Sequence, residues 1–249
     1  MSANEEFEKE VRRNIDGLGR DHDLQGLSNI WIREITRHKY AYNFRWMGRP
    51  IIQFPQDMVA MQEILWQVKP DLIIESGIAH GGSIIYYASL LELNAACGGP
   101  MDAFVLGIDV DIRAHNRSAI ETHPMSRRIR MIEGSSIDER VVEQARDYAR
   151  DRKRIVVCLD SNHTHEHVLG ELNAYASLTS VGSYCVVFDT VIEDMPEEFF
   201  PNRPWGKGNN SKTAVMEYLK VHPEFEIDLD IQHKLLLTVA PDGYLKRVR

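Results

Sequence analysis

The sequence predicts an α/β protein: a doubly wound, mostly parallel sheet with helices on both faces. Three observations predict it. Between residues 71 and 188, short apolar runs alternate with helical patterns, the order of parallel βα units. The first run passes through a glycine-rich turn straight into a helical pattern, Asp71-Leu72-Ile73-Ile74-Glu75-Ser76-Gly77-Ile78-Ala79-His80-Gly81-Gly82-Ser83. Near the C-terminus, residues 234–239 and 244–248 flank Pro241-Asp242-Gly243 and read as a closing antiparallel hairpin.

Each element has its own signal. Residues 4–15 mix charges with Phe7, Val11 and Ile15, which predicts an amphipathic helix with a narrow apolar stripe that packs on the body or on another subunit. Residues 27–49 carry Trp31, Tyr40, Tyr42, Phe44 and Trp46 among basic residues and read as helix then loop, suited to a core, a lid, or a cofactor or sugar contact. Pro55-Gln56-Asp57 opens a helix over 58–68 that Pro70 ends. The first strand then leads into a helix over 83–94. Further strands are predicted at 104–109, 129–132, 154–159 and 183–188, with helices at 113–122, 138–152 and 166–177 between them. Residues 195–211 are Pro- and Gly-rich and irregular, a length of loop that commonly serves as a functional lid. A helix over 212–221 and a strand at 225–227 follow. The chain therefore reads as an extension over 1–50 and a catalytic body over 51–249, with the lid at about 195–211.

A chain of 249 residues supports one domain with a sizeable core. The net charge of −8 and the lack of a basic run argue against nucleic acid and anionic membrane as main partners. No apolar run approaches a membrane span, and the charged N-terminus is not a signal peptide. Cys97, Cys158 and Cys185 lack metal spacing and are too few for a disulfide framework. A cytoplasmic enzyme acting on a small molecule, as a homo-oligomer, fits these bounds.

In such a sheet, ligands sit beyond the carboxyl ends of the strands. Four predicted strands end there on acid: Glu75, Asp109, Asp160 and Asp189. Like charges crowded on one rim need partners, and cofactor hydroxyls, an amino group and a cation would supply them. The dinucleotide fingerprint G-x-G-x-x-G fails, because Ala79 stands two residues after Gly77. What remains, Glu75-x-Gly77-x-x-x-Gly81, looks like the first motif of S-adenosylmethionine (SAM) methyltransferases. Ser83 opens the following helix, whose N-terminus offers free N–H groups. Asp109 is placed to accept ribose hydroxyls, with Asp111 as the alternative, and Ser135 falls where an adenine edge would be read. Asp160 and Asp189 end adjacent strands and suit Mg²⁺ or another divalent cation. His163, three residues past Asp160, is in reach of a metal-bound hydroxyl and suits a general base. The run His163-Thr164-His165-Glu166-His167 could instead hold a transition metal if it were extended.

Residues 42–53, 69–77 and 81–83, with Gly107-Ile108-Asp109, Gly134-Ser135 and Leu159-Asp160 plus His163, resemble the cephalosporin hydroxylase / rhamnosyl O-methyltransferase family. The likeness runs from about Tyr40 to the C-terminus. It implies the Rossmann-like, seven-stranded fold of SAM methyltransferases, SAM as cofactor and, in members that use it, Mg²⁺ between the fourth and fifth strand ends. Catechol O-methyltransferase is more distantly similar; it places metal aspartates and a base at the positions of Asp160, Asp189 and His163. Related enzymes follow the last aspartate with a second acid or an asparagine, whereas Thr190, a weak ligand, stands here, and Glu193 or Asp194 would have to substitute. Arg203, Trp205 and Lys207 would then face the acceptor. The expected activity is a Mg²⁺-assisted, SAM-dependent O-methyltransferase acting on a hydroxyl of a sugar, nucleotide sugar or glycosylated natural product. An NAD(P) oxidoreductase, an Fe(II) hydroxylase and a non-catalytic SAM-binding protein are the alternatives.

Overall fold

A computed structural model describes residues 2–249. Two helices, α1 (Ala3–Arg20) and α2 (His22–Arg37), precede a short hairpin of β1 (Phe44–Trp46) and β2 (Arg49–Ile51). The body then runs α3 (Pro55–Val68), β3 (Leu72–Ser76), α4 (Gly82–Ala96), β4 (Phe104–Asp109), α5 (Ala114–Glu121), β5 (Ile129–Glu133), α6 (Glu139–Ala149), β6 (Ile155–Leu159), α7 (His165–Tyr175) and β7 (Tyr184–Val187). It closes with α8 (Ser211–Tyr218), β8 (Phe225–Ile227), α9 (Leu229–Leu235) and β9 (Tyr244–Arg247).

Strands β3 to β9 form one seven-stranded sheet in the order β5-β4-β3-β6-β7-β9-β8. Strands β3 to β7 are parallel, and β9 inserts antiparallel between β7 and β8. The strand order reverses between β3 and β6, so the ends of these neighbours bound the switch-point crevice. The parallel strands are covered on both faces, which is why they read as continuous apolar runs. Ile73, Val105 and Val156 point into one core with α3 and α4. Leu72, Ile74, Leu106 and Val157 point into the other with α6, α7 and α8.

Helix α4 is apolar almost all round because the hairpin covers its outer side. A Cβ on Gly82 would lie 2.1 Å from the Pro50 carbonyl oxygen, so only glycine lets β2 approach the start of α4. Trp46 adds a hydrogen bond from Nε1 to Ser89 Oγ at 3.0 Å. The loop expected before residue 49 is therefore partly a two-stranded hairpin. Its turn residues Met47 and Gly48 both take positive φ, the geometry that suits strand twist.

The closing strands also differ from expectation. The antiparallel partner of β9 within the C-terminal pair is β8, with α9 between them, and residues 234–239 form no strand. The cause is Asp57. This buried carboxylate accepts from Val239 N at 3.0 Å, from the Thr238 hydroxyl and from the Tyr244 hydroxyl at 2.6 Å. The backbone of that stretch is thereby tied to α3 rather than to a ladder. Helix α1 lies on the surface against α9, with Arg12 paired to Asp230 and no residue fully buried.

Candidate functional site

The site grows from the turn after β3. Gly77 has φ +92, and a Cβ there would lie 2.0 Å from the Asp160 carbonyl oxygen at the end of β6. Gly81, at φ +82, starts α4, and no side chain caps that helix. Asp109 braces the turn: its Oδ2 accepts from Ile78 N at 2.8 Å and Ala79 N at 3.0 Å, and its Oδ1 from Asp111 N at 3.1 Å. Arg49 and Asn116 hold the outer side, Arg49 through the His80 carbonyl and Asn116 through the Ala79 carbonyl. Glu75 is 1% exposed. Burial first, and then the charge of Asp109, push its carboxyl up to about 8, against a hydrogen bond from Ser83. Its Oε2 has no partner.

Across the switch point, one ligand atom each from Asp160, His163 and Asp189 lie within 4.8 Å of one another. His163 Nε2 is 3.1 Å from Asp189 Oδ2. The left-handed conformation of Asp189, φ +56, turns the chain there into a short 3-10 segment. Burial and the neighbouring charges of Asp189 and Glu75 hold the Asp160 carboxyl well above the ordinary carboxylate range. Two carboxylates and one imidazole this close make an oxygen-rich donor set, and a divalent cation would relieve their mutual repulsion. The residues present thus fit a Mg²⁺-type ion.

These groups open into a cavity of about 870 Å³. Its lining includes Gly77 to His80, Gly82 and Ser83 from the turn, and Phe199, Phe200, Arg203 and Trp205 from the 195–211 segment. The roof comes from the end of α2 and Tyr40 to Tyr42. Trp205 meets the His163 ring edge-on at 4.8 Å, and the Arg203 guanidinium lies 5.1 Å over the indole.

Several expected residues stand elsewhere. Of the expected cofactor residues, Gly77 and Ser83 line this cavity, and Glu75, Gly81, Asp109, Asp111 and Ser135 do not. The exposed Asp111 pairs with Arg113 at 3.7 Å. Thr190 is fully buried and donates its hydroxyl proton to the Pro241 carbonyl, so it is turned from the acid–histidine cluster. Glu193 accepts from Gly208 N and Asn210 Nδ2, and Asp194 pairs with Lys212. Both acids therefore pin the 195–211 segment. Lys207 is exposed and off the cavity.

The three histidines do not share a site either, because α7 begins at His165. His165 bonds Thr213 and Glu217 of α8, while His167 joins Ser136, Ser161 and Glu171 beneath the sheet end. Among the described residues, a two-histidine, one-carboxylate iron site is not assembled. Sequence reasoning missed Arg49, Gln53 and Asp57. The basic and aromatic mixture before residue 50 was the only signal that the region reaches the cavity.

A doubly wound sheet in this strand order, with a glycine-rich first turn and the strand-end aspartates Asp160 and Asp189 facing one cavity, is the frame of SAM-dependent O-methyltransferases, and with the relatives below it makes the chain an enzyme of that class. Comparison with known proteins narrows it. The chain belongs to the rhamnosyl O-methyltransferase/CmcI family, whose model matches residues 38–248. A rhamnosyl O-methyltransferase of Mycobacterium tuberculosis is 32% identical over 221 residues, covering 84% of this chain and 83% of that one. Its counterpart in Mycobacterium leprae is 30% identical over 218 residues, covering 84% and 88%. Among solved structures, CmcI with Mg and SAM matches with a TM-score of 0.57 at 19% identity, over 84% of this chain and 78% of that one. CalS11, a TDP-rhamnose 3′-O-methyltransferase of calicheamicin biosynthesis, matches with a TM-score of 0.53 at 15% identity, over 77% and 78%. These two structures share the fold.

Proposed function

We propose that the enzyme transfers the methyl group of SAM to a hydroxyl of a sugar-containing acceptor, with a divalent cation, Mg²⁺ by its donor set, at Asp160 and Asp189. The observation that carries this reading is the cluster of Asp160, His163 and Asp189 beneath Trp205 in one cavity. A bound cation would lower the pKa of the acceptor hydroxyl and orient it. His163, oriented by Asp189 through Nε2, takes the hydroxyl proton on its other ring nitrogen. The S–CH₃ bond of the sulfonium breaks with its electron pair going to sulfur, the O–CH₃ bond forms, and S-adenosylhomocysteine leaves.

A sugar hydroxyl is a weak acid, so it needs both a cation and a base, and this cluster offers both. Trp205 supplies a face on which a sugar ring stacks, and Arg203 supplies donors for its oxygens or for a phosphate. The rhamnosyl O-methyltransferases that this chain resembles over most of its length support the sugar assignment. The 195–211 segment then serves as the acceptor-side wall of the 51–249 body. Thr36 to Tyr42 of the N-terminal extension close over the cavity, and its exposed Leu27, Ile30 and Trp31 are the face for a homo-oligomer.

The test is transfer of labelled methyl to a panel of rhamnosides, nucleotide sugars and catechols, with and without chelator. Metal-dependent transfer to a sugar is expected, with Trp205→Ala raising KM for it. Transfer confined to catechols, or full activity in excess chelator, would overturn the reading.

A further inference from the structure

Asn209 is exposed and does not line the cavity, yet every polar group it has is engaged. Its side-chain oxygen accepts from His165 N and its Nδ2 donates to the Pro204 carbonyl, each at 3.0 Å. Its backbone N–H donates to the Gly206 carbonyl at 3.0 Å, and its carbonyl accepts from Gly206 N at 3.1 Å. The next residue, Asn210, is fully buried and fixes the same turn from the other side. Its Nδ2 donates to Glu193 at 2.6 Å and to the Gly206 carbonyl at 2.8 Å, while its Oδ1 caps α8.

The two side-chain bonds of Asn209 end beside two groups that must share one acceptor. Pro204 immediately precedes Trp205. His165 stands two residues after His163 and opens α7, so its N–H is one of the unpaired donors of a helix start. Thr164, at the N-cap, makes no side-chain bond to that helix, and Asn209 takes the donor instead. The chain between His163 and His165 has little slack, because Asn162 Oδ1 accepts from Thr164 N at 3.0 Å. One amide thus ties the turn that carries the base to the turn that carries the indole. Across that tie the Trp205 ring meets His163 edge-on at 4.8 Å. The Arg203 guanidinium covers one face of the indole, which leaves one face for a sugar. A stacking face helps transfer only if it delivers a hydroxyl to the imidazole, and a displacement of about 1 Å costs about a hundredfold in rate.

We propose that Asn209 is a positioning residue for methyl transfer. It sets the indole of Trp205 against the imidazole of His163, so that a sugar stacked on the first presents its hydroxyl to the second; this rests on the sugar reading above.

Two variants and two measurements test it. Asn209→Asp keeps an acceptor for His165 N but sets an oxygen against the Pro204 carbonyl, and Asn209→Ala loses both bonds. In the full chain labelled with 5-fluorotryptophan, the four tryptophans give four ¹⁹F lines, and the line of Trp205 is assigned by its loss in Trp205→Phe. Both variants should shift or broaden that line and leave the other three in place. The kinetic arm uses the sugar of the panel above that wild type methylates fastest. Asn209→Asp should raise its KM by about threefold to tenfold, the range of one hydrogen bond, with the KM for SAM unchanged. In a Trp205→Ala background the same substitution should add nothing, because Asn209 acts through Trp205; a residue that only held the fold would add its full effect. An unmoved Trp205 line in both variants, a rise in both KM values, or an additive rise in the double variant overturns the proposal. A wild type that methylates no sugar of the panel would instead remove the sugar reading, and the ¹⁹F line, which needs no ligand, would still report whether Asn209 holds the indole.

Discussion

The α-carbon of Gly77 faces the Asp160 carbonyl so closely that a Cβ would lie 2.0 Å from that oxygen. The glycine-rich turn and the strand that carries the first cluster aspartate are thus in direct backbone contact. Gly77→Ala must push them apart and also strains a residue at φ +92. It should destabilise the protein by about 1–3 kcal/mol and abolish S-adenosylhomocysteine binding. Gly48→Ala is the control, also at positive φ but with open space around it; it should cost about 1–2 kcal/mol and leave binding intact. Denaturant melts and calorimetry on both variants check this, and equal effects on binding would refute the contact argument.

The Asp160 carboxyl is held up by burial and by Asp189 and Glu75. Asp160→Asn removes the repulsion along with a ligand. Wild type should gain thermal stability on adding Mg²⁺, by mass action, and the variant should not. Its affinity for S-adenosylhomocysteine should be unchanged. A Mg²⁺-dependent rise in the variant's melting temperature would show that the cation sits elsewhere.

His163→Ala should lower kcat by about 10²–10⁴-fold while the KM for SAM stays near wild type, because the imidazole lies at the acceptor end. Asp189→Asn should lower kcat as well, since it loses both the orientation of His163 and a cation ligand. Single-turnover methyl transfer reads the two effects. Wild-type rates in His163→Ala would remove it from the reaction.

Glu75 provides a pH test of the ligand-free protein. Its folded pKa is raised from 4.5 to about 8, so between those values the folded state holds a proton that the unfolded state has lost. Stability is therefore greatest below 4.5 and falls as pH rises towards 8. From pH 4.5 to 7 the loss is 2.5 × 1.36, or about 3 kcal/mol. Glu75→Gln should flatten this slope by that amount in urea melts across the pH series. An unchanged slope would mean that Glu75 ionises normally in the fold.

The parallel core was legible in the sequence because strands buried on both faces are written as unbroken apolar runs, and each was bounded by an acid or a glycine. Asp160, His163 and Asp189 were legible for the same reason, as their positions follow from strand ends. What was hidden depends on side chains distant in sequence. Leu235-Leu236-Leu237 reads as a strand by composition, but Asp57, far upstream, captures the backbone just after it. The β1–β2 hairpin turns on Met47-Gly48, which carries none of the usual Asn-Gly or Asp-Gly signal. The fate of Thr190 was settled by a carbonyl at Pro241, and that of His165 and His167 by where α7 begins.

The segment after α9 supports the cluster from below. Asp57 holds Thr238 and Val239, the Val239 carbonyl accepts from Val191 N at 3.2 Å, and the Pro241 carbonyl accepts from Thr190. The turn that bears Asp189 therefore rests on a segment 51 residues further along the chain. A ribosome-bound chain that has emerged only to residue 237 already contains Asp160, His163 and Asp189, but not the floor on which Asp189 is set. The seat of Asp189 is complete only once residues 238–241 are in place, and a chain cut before them would keep the whole cluster yet lose that seat.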